Sequence, residues 1–226
     1  MNVVASLAVI ASAAFGSGAC AGVVKFQNVG EQFDWRCILD GNASQATWLD
    51  ITQPASQSGA ASAVAFAVTR FTGFSTPHFN EDRIAGVTAD ARIVRRPSAI
   101  ALMDEEGVVN SFGFARSFAP GKGVGPSLAF HQTAHVAVTN FYTSPFIERT
   151  LPTGYVGVSV LLQDGVHYGW IHLEAAENAL GLFEEYNVLG WAYETQPGVA
   201  IVVPGPGAAG LVGVGLIGWA GRRRCA

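Results

Sequence analysis

The stretch Val156-Gly157-Val158-Ser159-Val160-Leu161-Leu162, then Asp164-Gly165, then His167-Tyr168-Gly169-Trp170-Ile171-His172-Leu173, decides how this chain folds. β-Branched and aromatic residues dominate both halves, which fits a pleated, half-buried surface. The Asp-Gly pair between them supplies the backbone freedom that a tight hairpin turn demands. Two antiparallel strands follow. Burying about four to six of their aliphatic and aromatic side chains contributes on the order of 8–12 kcal/mol before the entropy of ordering is set against it.

The same period of two recurs outward from this hairpin. In Phe33-Asp34-Trp35-Arg36-Cys37-Ile38-Leu39 every odd position is large or apolar, and Val64, Phe66 and Val68 repeat the pattern. Strands are also expected at Trp48–Ile51, Ala91–Arg95, Ala99–Met103, Ser111–Ala115, His135–Thr139, Tyr186–Tyr193 and Val199–Val203. Turn chemistry separates them: Asp40-Gly41-Asn42, Gln57-Ser58-Gly59, Glu106-Gly107, Pro120-Gly121-Lys122-Gly123 and Pro152-Thr153-Gly154. Only Glu174–Leu180 reads as a helical turn or two. About ten short strands at this spacing predict an all-β, single-domain antiparallel sandwich or jelly roll.

Composition agrees. With 27 glycines and 10 prolines in 226 residues the chain is rich in turns, which argues against a helical bundle. Its 11 % aromatic content excludes disorder, although only 13 % of residues are charged. Net charge is −4 and no basic run precedes the last few residues, so nucleic-acid binding has no electrostatic footing.

The two ends read as addresses. Residues 1–21 carry no charge, Val3–Phe15 is apolar, and Ala19 and Ala21 place small residues at the −3 and −1 positions of a cleavage site. That is the form of a secretory signal helix read by Sec-type export machinery, without the usual basic start. A buried N-terminal element is the competing reading. Lipidation at Cys20 is another, opposed by Ser17 where a large aliphatic residue belongs. At the far end, Ala208–Ala220 is an apolar run of 13 residues diluted by four glycines and closed by Arg222-Arg223-Arg224. Leu211, Val212, Val214, Leu216 and Ile217 together favour insertion by roughly 2–3 kcal/mol, the glycines erode much of that, and the positive-inside rule keeps the arginines cytoplasmic. So weak a span suits transient retention in the inner membrane.

The order Pro204-Gly205-Pro206, glycine-rich apolar helix, arginine cluster resembles the tail of PEP-CTERM exported bacterial proteins. Gly205 stands where the family motif usually carries glutamate. The resemblance implies recognition and cleavage by an exosortase, an integral-membrane sorting protease. The Tyr168-Gly169-Trp170 and Trp191-Ala192-Tyr193-Glu194 strands are similar to those that close the domain before the signal in that family, which extends the likeness to roughly the last 70 residues. The expected layout is a signal peptide at 1–21, a β body at 22–203 and a sorting tail at 204–226. Removing the three tail arginines from the 13 basic residues leaves ten against 17 acids, a body charge of −7.

Chemistry-bearing spacings are few. Gly205-Pro206-Gly207-Ala208-Ala209-Gly210 matches the dinucleotide fingerprint, but the 16 residues after it hold no acid and leave no room for a second strand. His131 and His135 have zinc spacing only on a helix; their Thr- and Val-rich surroundings are extended, which sets them about 13 Å apart. His167 and His172 point to opposite faces of a strand, and His78 has no partner by spacing. Asp40-Gly41-Asn42 and Asp164-Gly165 lack a full calcium loop. Cys37 would be the one cysteine left after processing and reads as a buried small hydrophobe. The adjacent acids Glu105, Glu106, Glu184 and Glu185 read as solvated turns. No catalytic residues, metal or cofactor are expected.

Three readings of function remain. A non-enzymatic exported envelope or matrix protein comes first. A carbohydrate-binding module stacking polysaccharide on exposed aromatics comes second, with Trp48, Tyr168, Trp170, Trp191 and Tyr193 as candidate contacts. A glycan-acting hydrolase with carboxylates drawn from distant strands comes third.

Overall fold

The computed structural model describes residues 22–27, 34–36, 48–54, 57–58, 62, 64–72, 80–103, 109–140, 147–150, 153–177 and 183–205. The signal segment with Ala19 and Ala21, Cys37, Asp40-Gly41-Asn42, His78, Glu105, Glu106, and the tail from Pro206 to Arg222, Arg223 and Arg224 lie outside them. Among the described residues the chain is strand and turn, with antiparallel sheets and no helix.

The deciding hairpin forms as read. Strand β14 (Gly154–Leu162) pairs with β15 (Gly165–Glu177) from Leu162↔Gly165 to Gly154↔Leu173, and Gly165 takes a φ of 138° at the turn. The larger sheet has the order β1 (Val23–Gln27), β16 (Phe183–Glu194), β15, β14, β6 (Ala91–Val94), β11 (Phe130–His131). Two short strands join it, β2 (Asp34–Arg36) on β16 and β9 (Ser117–Phe118) on β14. The smaller sheet runs β13 (Ile147–Thr150), β12 (Thr133–Asn140), β5 (Asn80–Gly86), β4 (Ala65–Thr72), β3 (Leu49–Asp50). Two ribbons complete the set, β7 (Ile100–Met103) with β8 (Val109–Phe112), and β10 (Gly123–Val124) with β17 (Ile201–Val202).

Alternation builds the core. Val156, Val158, Val160, Ile171 and Leu173 turn one face of the hairpin inward, where they meet Leu49, Ile51, Phe66, Val68, Ile84 and Val136 of the smaller sheet. The result is sandwich-like. Trp191 bridges the layers: its ring packs in this core while its Nε1 donates to the Gln53 carbonyl at 3.1 Å. Packing is close at Gly169, where a Cβ would lie 2.6 Å from the Ala192 carbonyl oxygen of the adjacent strand and 3.0 Å from Ile51 Cδ1 across the core.

The opposite face of the larger sheet is covered as well. Val94, Tyr168, Trp170 and Ala192 pack beneath Phe118, Val124, Ile201 and Val203. The 120–124 turn and the C-terminal strand are tied together, Val203 N to Lys122 O and Gly121 N to Val203 O, both at 2.9 Å. Val199–Val203, expected as a sheet strand, is thus the lid over the outer face.

Three differences from expectation have physical causes. Glu174–Leu180 is not helical as far as it is described: β15 continues to Glu177, because pairing with β16 (Glu174↔Asn187, Ala175↔Tyr186) outweighs local helix preference. The central strand β5 carries Asn-Glu-Asp-Arg-Ile-Ala-Gly, whose single large apolar residue, Ile84, gives no alternation to read. β1 and β13 are edge strands whose pairing, not pattern, defines them.

Candidate functional site

The outer face of β15 presents Tyr168, Trp170 and His172. Trp170 sits between Gly157 on β14 and Ala192 on β16, small cross-strand neighbours that leave room for the indole. It is buried, and its Nε1 has no hydrogen-bond partner among the described residues. Beyond it lies the half-buried Tyr155, edge-on to Trp170 with centroids 5.2 Å apart. Tyr155 stacks on its cross-strand partner His172 at 4.1 Å and 11°. The Arg116 guanidinium lies 4.9 Å over Phe118, which pairs with Tyr155, and the exposed Glu174 follows two residues after His172 on the same face.

Burial lowers the His172 pKa below the ordinary histidine value, with Glu174 opposing more weakly. Burial also pushes the Tyr155 phenol up. At neutral pH the stack is therefore an uncharged imidazole on an uncharged phenol. Such a surface can stack on the apolar face of a ring and hydrogen-bond its edge.

A polar corner closes one end of the hairpin. His167 is buried, with Nδ1 2.7 Å from the Glu194 carbonyl oxygen and Nε2 2.8 Å from Asp164 Oδ1. The hydrogen bond from His167 holds the Asp164 carboxyl below its usual range. A catalytic histidine keeps one ring nitrogen for the reacting group. Here both are occupied by structural partners. Asp50 is likewise consumed, accepting from Thr52 N at 2.8 Å, from Thr52 Oγ1 and from Ser62 Oγ.

No family model, curated protein or solved structure matches this chain. Any assignment therefore rests on the residues.

Strand parity separates the five aromatic residues singled out from sequence. Tyr168 and Trp170 face outward but lie under the lid, with Phe130 5.5 Å from Tyr168. Trp191 and Tyr193 face the inter-sheet core, and Trp191 is 1 % exposed. Burial first, then Asp50 and Asp164, raises the Tyr193 pKa. Trp48 is half-buried beside β3. These five do not form one exposed strip. A half-buried aromatic pair outside these five is Tyr155 with His172. Their juxtaposition was available by counting outward from the Asp164-Gly165 turn, since Tyr155 and His172 are directly opposed in that register.

The histidines with zinc spacing are apart in role. His131 is exposed, its pKa lowered by desolvation and then by Arg95. His135 is buried: Arg83 Nε donates to its Nε2 at 3.1 Å and its Nδ1 faces the Gly113 carbonyl at 3.3 Å. Among the described residues no group of three or more His, Cys, Asp or Glu could hold a metal ion, and no helix is long and apolar enough to cross a membrane. Of the sorting residues, Pro204 and Gly205 are half-buried at the end of the lid.

Proposed function

We propose that this chain is an exported protein of the cell envelope or extracellular matrix. A signal segment passes it through Sec-type export, residues 22–203 form the folded body, and the tail from Pro204 holds it at the inner membrane until an exosortase-type protease releases it. The observation that carries this reading is the order of the chain around Val203. Among the described residues, the buried apolar side chains run from Leu49 to Val203, and Val203 is pinned to the 121–122 turn by two backbone hydrogen bonds. Pro204-Gly205-Pro206 follows at once. A motif that directly follows the last described strand stands where a sorting signal at the end of a folded body is expected. Fractionation of cells with and without such a protease tests the reading. The chain should stay with the inner membrane in the protease-free strain and leave it in the other; release that ignores the protease refutes it.

A second reading, that the body binds matrix polysaccharide, is favoured by the Tyr155–His172 stack on the outer face of the hairpin. A glycan array probed with the exported body, and repeated with Tyr155→Ala, tests it. For hydrolysis no observation speaks: Asp50, Asp164 and Glu194 are each engaged by their own neighbours.

A further inference from the structure

Glu194 ends β16 as a carboxylate only 4 % exposed. Its Oε1 accepts from Gly22 N at 2.8 Å and from Gln196 N at 3.1 Å. Among the described residues it has no ion-pair partner. Gly22 is held from its other side too, its carbonyl accepting from Thr195 N at 2.8 Å, and Val23 pairs with Glu194 at the start of β1. The Glu194 carbonyl receives His167, which is braced in turn by Asp164. Among the described residues the hydrogen-bond donors to this carboxylate are neutral N–H groups, which leave its desolvation without a counter-charge. Gly22 is also the residue that follows the expected cleavage site.

We propose that the amino terminus made by cleavage between Ala21 and Gly22 is a structural binding element: its ammonium seats against Glu194 and locks β1 onto β16. The inference rests on the export reading. Hydrolysis breaks the Ala21–Gly22 peptide bond. The oxygen of water goes to the Ala21 carboxylate, and both hydrogens end on the Gly22 nitrogen, which becomes –NH3+. A carboxylate–amide hydrogen bond becomes a carboxylate–ammonium ion pair at the same 2.8 Å position, which supplies the missing counter-charge. Processing then stabilises the product it makes, and the precursor lacks this contribution.

The test uses the full precursor, expressed with export and purified after processing. Its N-terminal residue is read first and should be Gly22. Thermal melts then compare four proteins in a double-mutant cycle: the wild type, Glu194→Gln, an insertion of one glycine between Ala21 and Gly22, and both changes together. The insertion keeps the Gly22 amide but moves the ammonium one residue away, about 3.8 Å along the chain. The insertion should lower Tm by roughly 3 °C or more, and Glu194→Gln should cost markedly less in the inserted background. Should Glu194→Gln fail to fold, the α-amino titration of wild type against the insertion decides. Its pKa should lie above the ordinary value of about 7.7–8.0 only when Gly22 is terminal. An additive cycle or an unshifted amine with Gly22 confirmed as terminal overturns the ion pair and leaves export standing. A terminus elsewhere overturns the cleavage site itself.

Discussion

Gly169→Ala probes the close packing around the middle of β15, against the adjacent strand and across the core. The new methyl carbon would lie 2.6 Å from the Ala192 carbonyl oxygen, 3.0 Å from Ile51 Cδ1 and 3.3 Å from Val158 Cγ2. Real carbon contacts do not close to the first of these distances, and that neighbour is backbone in the adjacent strand. The isoleucine comes from the opposite sheet. Strand β16 and the Ile51 segment must therefore both shift. Overpacking a full core costs about 1–3 kcal/mol, and a backbone clash puts this site at the upper end, about 3 kcal/mol. For a body of this size that lowers Tm by roughly 6–12 °C. The control is Gly123→Ala, where nothing lies within 4 Å and φ is not positive. It should change Tm by no more than about 2 °C, since surface substitutions stay within roughly 0.5 kcal/mol. Thermal unfolding of both variants followed by near-ultraviolet circular dichroism reads the pair. A Gly169→Ala protein that melts with the control would refute the close packing around Gly169.

Acid unfolding should depend on Asp164. Its folded pKa is lowered by the His167 hydrogen bond, so its contribution is complete above the ordinary value of 3.8 and disappears as pH falls through the lower folded value. Tm measured against pH should fall less steeply below about pH 4 in Asp164→Asn than in wild type. His172 acts in a different window. Its folded pKa lies below 6.5, so the unfolded chain binds the proton first and stability is lost as pH drops from about 6.5 through the folded value. Replacing it in His172→Gln should flatten the Tm profile between about pH 7 and pH 5. Tyr155→Ala should abolish any glycan retention found for the body while leaving the inter-sheet core intact, which near-ultraviolet circular dichroism can verify; unchanged retention would remove the stack from the binding reading.

Much of the fold was legible because burial on one face writes itself as alternation. Val156, Val158 and Val160, and Ala91 with Ile93, advertise their strands for that reason. Asn80–Gly86 did not, since a strand paired on both sides needs only backbone groups to hold it, and Ile84 alone points to the core. Register was legible too, at the one turn with unambiguous chemistry. What the pattern could not convey was the second buried face. Tyr168, Trp170 and Val203 look like surface positions of a half-buried sheet until the 117–130 segment and the C-terminal strand are laid over them. The covered outer face also buries Tyr168 and Trp170, since large rings mark burial more often than contact. Glu194 was invisible for another reason. Its partner is a backbone nitrogen 172 positions away, and no side-chain pattern encodes that.

The most direct test of the proposed export and release is the intact mass of the protein recovered outside the inner membrane. A product that begins at Gly22 and ends near Pro206, without Arg222-Arg223-Arg224, is the expected result. A released product that still carries the arginine cluster would contradict it.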